Sequence, residues 1–171
     1  MSEHISKKED FEVAVPEYLL RLDLACGKNK KEGFKSVDKD RDCNPDFLFN
    51  LFEMPWIIFK DQSVYEIFCN NFIQKGMRSY LDIFMDECYR ILVPHGRMQI
   101  IAPYYTYLKA QKYPLPITEE TFNDYTDKFL IRNTRYYFNP EWETRSTQAQ
   151  DWARQHYFNV VQAIEFILEK K

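Results

Sequence analysis

Two acidic residues in the first quarter of the chain stand where a side chain can meet a polar ligand. Asp23 lies within Leu22-Asp23-Leu24-Ala25-Cys26-Gly27, and Asp38 follows Val37. A turn of small residues such as Ala25-Cys26-Gly27 lets a ligand approach the main chain, because little side chain stands in the way. A carboxylate after the next strand offers two acceptor oxygens and no donor, which suits the two hydroxyls of a ribose. The plainer reading is a tight turn followed by a solvated Asp, and on this pattern alone both stay open. The common phosphate-cradling motifs are absent. Only Gly27 of a G-x-G-x-x-G stands in the turn, Gly33 comes too late, and no Gly-Lys-Ser/Thr triplet exists. What remains is a nucleoside-containing ligand without those phosphates.

Other reactive residue types give weaker patterns. Cys26, Cys43, Cys69 and Cys88 form no C-x-x-C pair, and their wide spacing fits neither a zinc site nor a disulfide scaffold. Four reduced thiols and no metal are expected. Lys28, Lys30 and Lys31 read most simply as a solvated loop.

The elements that must position these residues follow from local patterning. Leu20 to Leu24 alternates apolar and polar residues and predicts a strand, as does Phe34 to Val37. Phe47 to Phe59 is apolar but irregular. Val64 to Cys69 and Met98 to Ala102 read as buried strands. Between them, Leu81, Phe84, Met85, Cys88, Ile91 and Leu92 recur at helical spacing, predicting a helix over Ser79–Leu92 with Ser79 as N-cap. Pro94-His95-Gly96 is its stop and turn. Tyr104 to Pro116 is an aromatic loop or lid, Thr118 to Asp127 a short helix, and Phe129 to Phe138 a strand. Trp142 to Tyr157 is a polar loop with a helical turn, and Phe158 to Leu168 is ambiguous between strand and helix. This order implies an α/β sheet with an antiparallel finish. Ligands in such sheets sit beyond the carboxyl ends of the strands. The residues of interest are therefore Ala25-Cys26-Gly27, Asp38, Cys69-Asn70-Asn71 and Ala102-Pro103-Tyr104-Tyr105.

Length and composition set the frame. The 171 residues suit one unit, expected over 13–171 behind a flexible tail over 1–12; 45% are apolar and 17% aromatic, enough for a core. A net charge of -3 argues against a protein built around a phosphate backbone. No apolar run is long enough to span a bilayer, and residues 1–12 are polar, so a cytoplasmic location without membrane contact is expected.

Taken in order, the motifs resemble the class I S-adenosylmethionine-dependent methyltransferases of the small bacterial and phage kind. Those carry L-D-L-G-C-G-x-N-K, matched here by Leu22-Asp23-Leu24-Ala25-Cys26-Gly27-Lys28-Asn29-Lys30, and then G-F-x-x-V-D, matched by Gly33 to Asp38. Asn50-Leu51-Phe52-Glu53-Met54-Pro55-Trp56, Phe59 to Ile67, Phe84 to Gly96 and Ile100-Ile101-Ala102-Pro103-Tyr104 continue the match to about Thr118. Four departures stand out. Ala25 replaces a glycine, which calls for a negative φ there; Asn50 replaces an acid; His95 replaces a turn glycine; and Gln74-Lys75 replaces a Glu-His pair. The stretch from Gly27 to Gly33 is also shorter than the ~10–12 residues of a parallel crossover with its helix.

The resemblance implies a Rossmann-like class I methyltransferase sheet, mostly parallel, with an antiparallel C-terminal edge and a truncated first crossover helix. It implies S-adenosylmethionine as cofactor. Asp23 and the Ala25-Cys26-Gly27 backbone would hold the methionine moiety, Asp38 with Lys39 the ribose, Asn50 and Leu51 the adenine, and Asn70 the amino-acid end. The plainer role of Asn70-Asn71 is a helix N-cap. Tyr104 and Tyr105 are candidates for shaping the acceptor site at the catalytic centre, against a plainer role in packing the lid. The implied function is methyl transfer to an unidentified acceptor. The alternative is a non-catalytic nucleoside-binding or scaffold protein on the same fold.

Overall fold

The computed structural model describes residues 19–171. The tail expected over 1–12 and the first residues of the 13–171 unit lie outside the described residues. Seven strands are ordered β3-β2-β1-β4-β5-β7-β6 in one sheet. They are β1 (Leu20–Leu24), β2 (Lys35–Asp38), β3 (Phe47–Leu48), β4 (Val64–Asn70), β5 (Leu92–Pro103), β6 (Phe129–Phe138) and β7 (Val161–Lys170). β1 through β5 run parallel to one another, and β7 runs antiparallel between β5 and β6. Among the described residues the α-helices are α1 (Arg78–Ile91), α2 (Pro140–Glu143) and α3 (Thr147–His156).

One face of the sheet carries the core. Leu22 and Leu24, Ile67 and Cys69, Met98, Ile100 and Ala102, and Ile164, Phe166 and Leu168 are all fully buried. The apolar stripe of α1, with Leu81, Phe84, Met85, Cys88 and Ile91, is buried in the same cluster. Alternate residues such as Glu66, Phe68, Gln99 and Arg97 point to the opposite, wetter face, as the two-residue period of a strand demands. There Arg21 pairs with Glu66 at 3.4 Å.

No helix lies between β1 and β2. Residues 25–34 cross over as turns, and side chains supply the bonds that a helix would have made. Asp23 Oδ2 accepts from Lys31 N at 2.8 Å, and Asp38 Oδ2 accepts from Gly27 N at 2.9 Å. The Lys31 ammonium lies 4.0 Å from the Phe68 ring centroid and donates to Gln99 Oε1. The truncated crossover is thus held down by two carboxylates and one lysine.

The other side of the sheet is built from long antiparallel strands. Glu169, buried on β7, accepts two bonds from Arg132 at 3.1 and 2.9 Å and also faces His95 and Arg97. Lys170 donates to the carbonyls of Tyr89 and Leu92, each at 2.7 Å, satisfying groups that the end of α1 leaves open.

Several local expectations need correction. α1 starts at Arg78 with Met77 as N-cap, not at Ser79, because Gly76 and Met77 are extended and Leu81 N already reaches Met77 O. Thr118–Asp127 yields only a 3-10 turn at Asn123–Tyr125. Its Thr118 does accept from Glu120 N, but Phe122 is drawn into the core against Phe166 at 4.8 Å, which breaks a regular helix. The polar segment Trp142–Tyr157 contains α3 across ten residues, capped by Ser146. Only Ala153 of α3 is buried, so its sequence carries little apolar periodicity. The ambiguous C-terminal segment is β7.

Candidate functional site

The carboxyl ends of β1, β2 and β4 open onto two adjoining depressions of about 220 and 260 Å³. Together they fall within the ~300–1,000 Å³ range of small-molecule sites. The first is lined by Ala25, Gly27, Asp38, Lys39, Asn50 and Leu51, with Phe49, Phe52, Phe72 and Lys75. Asp23, Ala25, Cys26, Gly27 and Asn70 line the second, with Lys28, Asn29, Phe68, Asn71 and Lys75. Every residue that the sequence singles out for a cofactor lines one depression or both.

The two carboxylates differ in setting. Asp23 is almost fully buried, and burial raises its carboxyl above the ordinary aspartate value, against the Lys31 N–H and the nearby lysine charges. Asp38 is half-buried; its Oδ2 binds Gly27 N and its Oδ1 binds Asp40 N, each at 2.9 Å. A carboxylate has about four acceptor positions, so two remain open.

The turn itself is tighter than expected. Ala25 adopts φ +55°, not the negative value expected for an alanine, and Gly27 has φ +57°. The left-handed geometry at Ala25 is the cost of turning the chain straight out of β1; Cys26 N donates to Val37 O at 3.2 Å and fixes it there. No atom lies within 4 Å of where a Cβ on Gly27 would stand. Burial pushes the Cys26 thiol up to about 11, so it stays neutral beside the two acids.

Asn50 is engaged locally: its Oδ1 accepts from Phe52 N and its Nδ2 donates to Glu53 Oε1. Leu51 is buried, and its carbonyl accepts from Trp56 Nε1 and the Tyr80 hydroxyl. Beside it Phe52 stacks obliquely on Tyr80 and Phe72, with centroids 4.6 and 5.1 Å apart, giving the first depression an aromatic wall. Asn71, at φ +56°, turns the chain after β4 and caps no helix.

Tyr104 and Tyr105 are not among the residues lining these two depressions. Tyr104 is buried and donates to Glu119 Oε2 at 2.8 Å; Glu119 also pairs with Arg154 at 2.6 Å. Burial and the Glu119 carboxylate push the Tyr104 hydroxyl far above its ordinary range, so it keeps its proton. Tyr105 is exposed and lines a separate shallow depression with Thr118, Glu119 and Glu120.

Sequence reasoning passed over the aromatic wall of this region, and it met Gln74-Lys75 only as the pair that replaces Glu-His. The aromatic wall lies in the apolar, irregular Phe47–Phe59 run and in Phe72, and its signal was apolar residues placed after a strand. Lys75 lines both depressions. Gln74 beside it is almost fully buried, with neither Oε1 nor Nε2 hydrogen-bonded. A lysine or glutamine in a turn has no periodicity to reveal it.

No family model matches the sequence, and no curated protein matches it. Solved structures do match in fold. An S-adenosylmethionine-dependent methyltransferase from Archaeoglobus fulgidus is similar with TM-score 0.62 and 17% identity, over 90% of this chain and 86% of that one. One from Mesorhizobium loti is similar with TM-score 0.59 and 11% identity, over 91% and 93%. A phosphoethanolamine N-methyltransferase from Haemonchus contortus, solved with S-adenosyl-L-methionine, gives 0.60 and 14% over 91% of this chain and 50% of that one. The strand order and these likenesses together establish the class I methyltransferase fold, with its first crossover stripped to turns.

Proposed function

We propose that this chain is an S-adenosylmethionine-dependent methyltransferase whose cofactor lies across the two depressions. One observation carries the reading: carboxylates at the ends of adjacent parallel strands line two cavities that share the Ala25 and Gly27 backbone. The residues fit the cofactor. The free acceptor positions of Asp38 suit the ribose hydroxyls, and Phe52 and Leu51 suit the adenine plane, with Asn50 at its edge. Lys39, which lines the same depression as Asp38, would stand beside the ribose. The open space over Gly27 admits the methionine chain, with Asp23 on the amino group and Asn70 at the amino-acid end. The bound cofactor supplies an activated methyl group and its own leaving group. The protein's part is alignment and exclusion of water. Tyr104 and Tyr105 would act from beside this cleft, shaping the lid over the acceptor.

A second reading, cofactor binding without catalysis, is favoured by one observation. The Tyr104 hydroxyl, a candidate base, is kept protonated by burial and by its bond to Glu119. The two readings separate experimentally. A ligand specific to the native state at a hundredfold excess over Kd stabilises it by about 2.7 kcal/mol. S-adenosylmethionine and S-adenosylhomocysteine should therefore both raise the melting temperature, and NAD should not. No shift at millimolar concentration overturns both readings. Methyl transfer to any member of an acceptor panel selects the first; binding with no turnover selects the second.

A further inference from the structure

The two depressions share Ala25, Gly27 and Lys75. Ala25 and Gly27 contribute a methyl group and main chain, so Lys75 is the one functional side chain at the junction. It ends the 3-10 turn Ile73–Lys75 that follows β4, and its side chain is exposed. Among the described residues no carboxylate pairs with it. The acids that share the cleft, Asp23 and Asp38, are already turned to main-chain N–H groups of the first crossover.

This inference rests on the methyltransferase reading. If the nucleoside half of the cofactor occupies one depression and the methionine half the other, the sulfur joining them passes the junction. A bare ammonium beside a sulfonium is a like-charge contact, unfavourable unless an anion lies between. We propose that Lys75 makes this junction an oxyanion subsite, and that the methyl acceptor presents a carboxylate or phosphate oxygen there. The acceptor's lone pair forms the bond to the methyl carbon, and the carbon–sulfur pair stays on sulfur as a neutral thioether. The acceptor anion loses one negative charge, no proton has to leave, and no general base is required. That agrees with a junction at which, among the described residues common to both depressions, Lys75 is the one ionisable side chain.

Calorimetric titration with S-adenosylmethionine and S-adenosylhomocysteine tests this, because the two ligands differ at sulfur alone. Lys75→Met should shift the affinity ratio in favour of S-adenosylmethionine by about three- to tenfold, while Lys75→Arg leaves it unchanged. Acetate or inorganic phosphate, compared with chloride at equal ionic strength, should raise the melting temperature of the wild-type S-adenosylhomocysteine complex and not that of the Lys75→Met complex. Equal weakening of both ligands in Lys75→Met would mean that Lys75 holds the cofactor's own carboxylate, and would overturn the proposal. An unchanged ratio with no anion effect would overturn it too. A wild-type protein that binds neither ligand fails the methyltransferase reading itself, a result distinct from either.

Discussion

The β3-β2-β1 side of the sheet and the β5-β7-β6 side are built in opposite ways. On the first, strands run two to five residues, the crossover is all turns, and aromatic Phe52 is left partly exposed. Its carboxylates keep unused acceptor positions. On the second, strands run ten to twelve residues, and buried charged groups are engaged by partners: Glu169 by Arg132, Lys170 by two carbonyls, Glu119 by Tyr104 and Arg154, although Arg154 Nε itself is buried without a partner. The difference teaches where to look for each property. Binding capacity sits where strands are short and carboxylates keep open acceptor positions, and folding stability sits where strands are long and buried charges are mostly engaged.

The largest effect expected from this contrast is on stability. Phe166→Ala removes a fully buried ring at the centre of β7 and should cost about 3–5 kcal/mol in denaturant titration, whereas Phe52→Ala should cost less than about 1 kcal/mol. Equal losses would break the comparison. Next comes ligand affinity. Asp38→Ala should weaken S-adenosylmethionine binding about 10- to 100-fold by calorimetry, with Asp38→Asn intermediate, since charge-assisted bonds to two hydroxyls are lost. Wild-type affinity would place the ribose elsewhere.

Gln74→Met sharpens the comparison from the other direction. Its amide is buried with no partner, so an apolar side chain of similar size should raise the unfolding free energy by about 1 kcal/mol. A loss of stability would show that the amide is satisfied by buried water.

The smallest effect is a pH dependence. Burial raises the folded-state pKa of Asp23, so its ionised form opposes folding and that penalty grows as pH rises through the carboxylate range. Asp23→Asn keeps an acceptor for Lys31 N and should be more stable than wild type at neutral pH. The advantage should vanish as pH falls below the unfolded aspartate value. Glu119 and Glu169 have the opposite sign: their carboxyls are held below the usual value, so the stability they add is lost as pH falls. An Asp23→Asn advantage that is constant with pH would contradict the burial argument.

Much of this layout is legible in residue patterns, for physical reasons that differ by element. β1, β4 and α1 declare themselves because their apolar residues recur at strand or helix spacing and those residues are the ones buried. The missing first crossover helix is legible from length alone. β3 is invisible because two residues carry no period, and α3 because it buries a single alanine. Ala25, Cys26, Gly27 and Asp38 follow from the rule that ligands meet strand ends, whereas Lys39, Asn50 and Leu51 are reached only through the resemblance to class I methyltransferases. Gln74 and Lys75 stand out in the sequence only as a replaced Glu-His pair, since their significance in the fold lies in what surrounds them. The positive φ of Ala25 is a demand of the turn, which no residue type announces.

The position of β7 bears on how the chain assembles. β6 pairs with β7 alone, and β7 must enter between β6 and β5. Until residues 161–170 are in place, β5 has a bare edge and β6 has no strand to pair with. The β1–β2 pair, in contrast, closes over only residues 25–34, a short loop with a small closure entropy. The binding side can therefore organise through near-neighbour contacts, while the stable side waits for pairs sixty or more residues apart, Met98 with Leu168 among them. Rates of folding fall as such separations grow. Closure of this β5–β7 seam is the step expected to set the pace, and a partly folded chain would carry an adhesive strand edge until it occurs.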